Sequence, residues 1–245
     1  MMKLAGKTAL ITGGTDGIGL RLARQLRAKG AHVILTGRTP GRISAAQGEG
    51  FEVITAELTG PDGVDAVLAG LGARQLDILI NNAGMGTTHD FREALPDPAA
   101  DERILWLNIH APIRLIVLLM PMLRARPEAM IVNVTSGLAL APSTAAAIYC
   151  ATKAAMRSYT QSLRAQMKGQ TKGGRIHVLE ALPPVVDTAM TAHMTKAKMT
   201  PEACAAQIIA GMERNESQVN VGMVKLLAAV HAVSPAIARR FMLNF

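Results

Sequence analysis

Thr8-Ala9-Leu10-Ile11-Thr12-Gly13-Gly14-Thr15-Asp16-Gly17-Ile18-Gly19 decides how the rest of the chain is read. Its first five residues are a short apolar run that halts at a glycine cluster, the pattern of a buried strand followed by a turn. Ile18, Leu22 and Leu26 then recur four apart as far as Lys29, and Gly30 closes the segment. That spacing predicts an amphipathic helix over 18–29 with a glycine stop. Further strands are expected at His32–Thr36, Phe51–Ala56, Leu76–Ile80, Ala129–Thr135 and Arg175–Leu182, with a short one at Gln218–Val221. Helical spacing is weak at Gly63–Leu71 and clearer from Asp101 to about Arg124, at Ile148–Lys168, and at Pro201–Glu213, where Pro opens the helix. Pro112 and Pro121 fall inside the second of these, which predicts a kink or an early end. Strands alternating with helices predict a doubly wound α/β fold of about seven parallel strands, helices on both faces and right-handed crossovers.

The 245 residues suffice for one large α/β domain. No repeat, low-complexity tract or interdomain linker interrupts them, so 1–245 is read as a single domain with a substrate-loop region at 187–214. Hydrophobic residues at 49% and charged residues at 18% argue against a disordered chain. Aromatics are only 3%, so aliphatic residues and the 14 Met must fill the core. A net charge of +8 can signal nucleic acid or an anionic membrane. Here Lys and Arg are scattered and no basic stretch is rich in aromatics, so no nucleic-acid partner is expected and a local site for an anionic cofactor is favoured. Cys150 and Cys204 have neither disulfide nor metal-ligand spacing, the His residues are isolated, and no metal site is expected. Met1–Lys7 lacks an apolar signal core, and Leu115–Leu123, broken by Pro121, is too short to span a bilayer. A cytoplasmic protein is expected.

Between the first strand and first helix, Gly13-Gly14-Thr15-Asp16-Gly17-Ile18-Gly19 makes a GxxxGxG turn. Such a turn lets the backbone approach a pyrophosphate, and the helix start adds free N–H groups and a positive dipole. The reading is a Rossmann-type dinucleotide site. The end of the second strand should meet the adenosine ribose, where an acid would bind the 2′-hydroxyl of NAD. Thr36-Gly37-Arg38 stands there instead. Gly37 leaves room and Arg38 offers a fork suited to a phosphate, so NADP(H) is expected over NAD(H).

Tyr149 and Lys153 are four apart and share one helical face. A free phenol titrates near ~10 and is a poor base, but a neighbouring ammonium favours the phenolate. Lys153 is therefore expected to lower the Tyr149 pKa and make it a usable proton donor and acceptor. Ser136 closes the fifth strand, at the edge where such sheets bind ligands, and can hydrogen-bond a substrate oxygen beside Tyr149.

Taken together these residues resemble the short-chain dehydrogenase/reductase family. The resemblance runs from Gly6 to about Thr188 and rests on Thr12-Gly13-x3-Gly17-Ile18-Gly19, Asn81-Asn82-Ala83-Gly84, Asn108, Ser136 and Tyr149-x3-Lys153. The stretches 131–139 and 149–155 look most like its bacterial DltE-like branch. The resemblance implies that Tyr149 is general acid and base, that Lys153 holds the nicotinamide ribose, and that Ser136 polarises the carbonyl. It implies that Asn108 positions a water relaying protons, and that Asn82, Ala83 and Gly84 line the adenosine side and stabilise the sheet. Thr12, Gly13, Thr15, Gly17, Ile18, Gly19, Arg38, Pro183, Val186 and Thr188 complete the expected cofactor set. A homodimer or homotetramer through the two long helices is also implied.

Two departures stand out. The family usually has Pro-Gly after the sixth strand, whereas this chain has Pro183-Pro184, so a stiffer or differently bent loop is expected. An Asp usually follows the third strand and contacts adenine, but here Glu57 precedes Leu58. Cys150 reads as a packed small residue, and His89 and His193 as exposed loop residues near the crevice. Asp187–Thr200 should cover the site as a mobile lid whose Met190, Met194 and Met199 would suit a hydrophobic substrate. The apolar, basic segment Val221–Phe245, with Lys225, Arg239 and Arg240, could lie on a membrane; a subunit or core contact is expected instead. The expected activity is NADP(H)-dependent interconversion of a small carbonyl and a secondary alcohol. The alternative is a dinucleotide-binding sensor or scaffold without turnover, and the loops name no substrate.

Overall fold

Alternate residues of the central strands face opposite ways, and each set meets its own layer of helices. In β1 (Thr8–Ile11), Ala9 and Ile11 join Leu22, Ala23 and Leu26 of α1 (Gly17–Ala28) in one buried cluster. Leu10 joins the opposite cluster, with Val64, Val67 and Leu71. The computed structural model describes residues 1–88, 90–93, 95–169, 172–195 and 197–243. The other strands are β2 (His32–Gly37), β3 (Glu52–Thr55), β4 (Ile78–Asn81), β5 (Glu128–Val134), β6 (Arg175–Leu182) and β7 (Gln218–Asn220). They form one parallel seven-stranded sheet in the order β3-β2-β1-β4-β5-β6-β7. This is the doubly wound Rossmann-type fold expected from the alternation. Connections leave β1 and β4 toward opposite edges, so a crevice opens at the carboxyl ends of these two strands.

On one face the sheet is covered by α1, α2 (Pro40–Gly48) and α7 (Pro201–Glu213). The other face is covered by α3 (Pro61–Leu71), α5 (Ala111–Arg124) and α6 (Ala147–Lys168). Helix α2 carries little periodic signal: only Ile43 and Ala46 are buried, and Pro40 marks its start.

Of the kink or early end expected from Pro112 and Pro121, the early end does not occur. Helix α4 (Pro98–Leu105) passes through one π-helical turn, Trp106–His110, into α5 without a break. Pro112 follows that turn directly, so the bond its missing N–H cannot make falls on a carbonyl inside the π turn, where the regular ladder is already interrupted. Pro121 lies on the exposed side, so the carbonyl of Val117 that loses its donor can meet water. The span Pro98–Arg124 is long and apolar enough to cross a membrane. Its Leu115, Ile116, Leu119 and Leu123 are nonetheless fully buried in the second cluster, as in a core helix.

After β7 come α8 (Val224–Val233) and α9 (Pro235–Leu243), packed on one another. Among the described apolar residues of this segment, Val221, Val224 and Ala238 are buried, which supplies the core contact expected for it. The lid region is pinned at its base, where Val186 bridges Met199 and the backbone bonds Asp187 N–H to Met199 O and Met199 N–H to Val185 O close a loop. Met199 is partly buried against the core, while Met190 and Met194 are exposed. His89 and Lys196 lie outside the described residues.

Candidate active site

The glycine turn is tied to the end of β4. Thr12 Oγ1 accepts the N–H groups of Asn82 and Ala83, both at 3.0 Å. In return Asn82 Nδ2 donates to the carbonyls of Thr12 at 3.0 Å and Gly13 at 3.2 Å. The turn also leans on β2, since Gly13 N–H donates to Thr36 Oγ1 at 3.2 Å. Gly17 takes φ +50°, a conformation side chains disfavour, at the start of α1. A methyl group on Gly19 would lie 2.3 Å from the Gly13 carbonyl oxygen, so only glycine admits this turn. Thr188 reaches over the cradle: a methyl group on Gly17 would meet its Cγ2 at 3.0 Å. The half-buried Ile18 packs its side chain toward the first cluster. The cradle therefore has the shape and the free helix start that a dinucleotide pyrophosphate requires.

At the end of β2, Gly37 leaves room for Thr15, which a Cβ there would strike at 2.5 Å. Arg38 is exposed and pairs with Glu57, Nη1 to Oε2 at 2.7 Å. The two residues singled out separately for phosphate and adenine are thus partners of one another. Arg42 of α2 pairs with Asp16, the N-cap of α1, at 3.0 Å; the sequence reading did not single out Arg42.

Across the crevice, Ser136 follows β5 and is buried, and Tyr149 stands in the first turn of α6. The Ser136 side chain neighbours the Tyr149 phenol and draws its pKa down, while Ser136 Oγ accepts the Leu138 N–H at 3.1 Å. Tyr149 keeps partial solvent access, yet desolvation pushes its phenol up to about 12 against the pull of Ser136. Burial brings the Lys153 ammonium down to about 8. The expectation that Lys153 lowers the phenol pKa is not met. Lys153 Nζ is turned to the Val134 carbonyl, 3.1 Å away, and lies 5.5 Å from the Tyr149 ring centre. Loss of water is the largest influence on the phenol.

Asn108 sits in the π-helical turn and its side chain is fully engaged. Nδ2 donates to Met85 O at 2.8 Å and Thr152 Oγ1 at 3.0 Å, while Oδ1 accepts from Met85 N–H at 3.0 Å. It clamps the loop after β4 to α6. Pro112 lacks the N–H that would meet the Asn108 carbonyl in a regular helix. Gly84 lies at the meeting point: a methyl group on it would be 3.4 Å from both Asn108 Oδ1 and Lys153 Nζ. Pro183 O accepts from Gly137 N–H at 3.0 Å, which ties the double-proline loop to the Ser136 turn.

The sequence reading missed a charge pair directly behind this site. Glu180 of β6 is fully buried and accepts from Thr135 Oγ1 at 2.9 Å and from Arg157 Nη1 at 2.6 Å. Arg157 lies one turn beyond Lys153 on the same face of α6, a readable signal; its partner on β6 is not readable from spacing. Cys150 is buried with its thiol pushed up by desolvation, as expected of a packed residue. His193 is exposed.

Comparison with known proteins gives this arrangement its family. A family model described as short chain dehydrogenase matches residues 7–199. The chain is 37% identical over 193 residues to the uncharacterized oxidoreductase DltE of Bacillus subtilis, covering 77% of this chain and 75% of that one. It is 30% identical over 244 residues to a fatty acyl-CoA reductase of Acinetobacter baylyi, covering 95% and 81%. A short chain dehydrogenase from Burkholderia cenocepacia, solved in complex with NADP, superposes with a TM-score of 0.87 at 25% identity, covering 99% of each chain. The chain therefore belongs to the short-chain dehydrogenase/reductase family of oxidoreductases.

Proposed function

We propose that this oxidoreductase interconverts a carbonyl and a secondary alcohol with NADP(H), Tyr149 serving as the proton donor and acceptor. The observation that carries the reading is the juxtaposition of Tyr149 and Ser136 at the carboxyl edge of the sheet, with Lys153 one turn behind. When bound, the nicotinamide supplies or accepts the hydride. Ser136 orients the carbonyl and withdraws charge from its oxygen by a hydrogen bond. Tyr149, with its phenol raised to about 12, holds its proton at neutral pH and gives it to the developing alkoxide. The proton return is assigned, as the family resemblance implies, to a water positioned by Asn108 and passed through Lys153.

The cofactor choice rests on Arg38. Its pair with Glu57 is exposed, and such pairs contribute about 0–1 kcal/mol. A 2′-phosphate offers the guanidinium a stronger, charge-assisted partner. The structural relative from Burkholderia cenocepacia holds NADP. Exposed Met190 and Met194 on the lid support an apolar carbonyl substrate. Assembly as a homodimer or homotetramer is part of the proposal, with Val117 and Leu118 exposed on α5.

The test follows NADPH and NADH consumption against a panel of ketones, aldehydes and quinones, with Tyr149→Phe as control. Turnover with NADPH that vanishes in the variant is the expected result. NADPH binding without any turnover would favour a sensor or scaffold. Absence of cofactor binding would remove the reading from the glycine turn onward.

A further inference from the structure

Of the thirteen exposed large apolar side chains among the described residues, six lie on the α8–α9 hairpin. Leu226 is 66% exposed, Val233 88%, Ile237 62% and Phe241 62%. On α8, Met223, Leu226 and Val233 follow at intervals of three and seven, one outward face. On α9, Ile237 and Phe241 are four apart. An apolar surface gathered on one element marks a docking site rather than scattered surface residues.

Charge decides the occupant. From Ser217 to Phe245 the chain has no Asp or Glu, while Lys225, Arg239 and Arg240 are basic. A second copy docking by two-fold symmetry would set this patch against itself and bring like charges together. An anionic bilayer offers the complement: apolar side chains enter the headgroup–acyl boundary and bases meet lipid phosphates.

We propose that the α8–α9 hairpin docks this enzyme on an anionic lipid bilayer. The hairpin is also part of the crevice wall. Its inner face covers the Ser136 turn, where a methyl group on Gly137 would lie 2.8 Å from Val224 Cγ2. Its base touches the lid, since a methyl group on Gly222 would lie 3.4 Å from Met199 Sδ. The proposal stands on the hairpin alone and does not depend on the reaction.

The test is flotation of the full chain with phosphatidylcholine vesicles, with or without about 30% phosphatidylglycerol. The wild type should float with the anionic vesicles and far less with the neutral ones. Ile237→Ser/Phe241→Ser should abolish flotation. Lys225→Glu and Arg239→Glu should each weaken binding at least about fivefold, with the thermal midpoint unchanged. If the double-serine chain fails to fold, the surface-charge variants carry the test. Three outcomes overturn the proposal: a wild type that stays unbound, a folded double-serine variant that floats like the wild type, or equal flotation with neutral vesicles. A wild type that stays unbound yet falls to a smaller assembly on Ile237→Ser/Phe241→Ser would make the hairpin a copy–copy interface.

Discussion

The two walls of the crevice are built on different principles. On the β1–β4 wall, backbone meets backbone, and what matters is the absence of side chains: a methyl group at Gly19 would stand 2.3 Å from a carbonyl oxygen. On the β5–β6 wall, polar and charged side chains are buried and must satisfy one another, as Glu180 does with Thr135 and Arg157, and Lys153 with Val134. The first wall tolerates no added volume. The second tolerates no lost partner, because an uncompensated buried charge is expensive. The proposed chemistry occurs on the second wall, where desolvation moves the pKa values of Tyr149 and Lys153.

The sharpest break in this comparison is Tyr149→Phe. It removes the proton while leaving the other wall intact, so kcat for reduction should fall by about 10²–10⁴. NADPH affinity, measured by fluorescence quenching, should stay within about twofold; a matched loss of binding would mean the walls are not separate.

Next, Glu180→Ala leaves Arg157 without its buried partner and should destabilise the fold by about 3–5 kcal/mol in urea unfolding. Gly19→Ala should cost about 1–3 kcal/mol by overpacking and should also lower NADPH affinity, which Glu180→Ala should spare. Equal effects of both on cofactor binding would erase the distinction.

The pH response reports the second wall alone. Lys153 has its pKa depressed from 10.5 to about 8, so between these values the unfolded chain binds more protons and stability rises with pH. Below about 8 the burial penalty on the ammonium is felt in full. Lys153→Met should therefore gain its largest advantage in thermal midpoint below that pH, an advantage that shrinks as pH rises toward 10.5. A constant difference across the range would show that Lys153 is not desolvated in the folded protein.

The smallest effect is expected at the rim. Glu57→Gln breaks an exposed pair with Arg38, so stability should change by less than about 1 kcal/mol. The freed guanidinium should bind NADPH more tightly and leave NADH affinity nearly unchanged; tighter NADH binding alone would sink the assignment of Arg38.

Legibility in the sequence followed the same division. The glycine wall is a contiguous run, and its residues sit in the structure where the 8–19 stretch put them. The hydrophobic alternation of strands and helices was enough for the layered, seven-stranded parallel sheet, with element ends displaced by up to three residues. Helix α2 escaped because two buried residues make no period. The early end that Pro112 and Pro121 suggested is avoided because the cost of a proline depends on whether its orphaned carbonyl lies at a π turn or toward water. The Arg38–Glu57 pair and the Glu180–Arg157 pair each join strand ends or helix turns separated by 19 and 23 residues, and no spacing rule connects them.

The residues by themselves determined the α/β alternation, the pyrophosphate cradle and the candidate catalytic set, because each depends on local backbone geometry or on spacing along one helix. The tertiary structure decided the rest. It bonded the Lys153 ammonium to the Val134 carbonyl, closed Asn108 into a clamp and left the C-terminal apolar face outside the core. These outcomes depend on burial and on partners from other elements, quantities that exist only once the chain has folded.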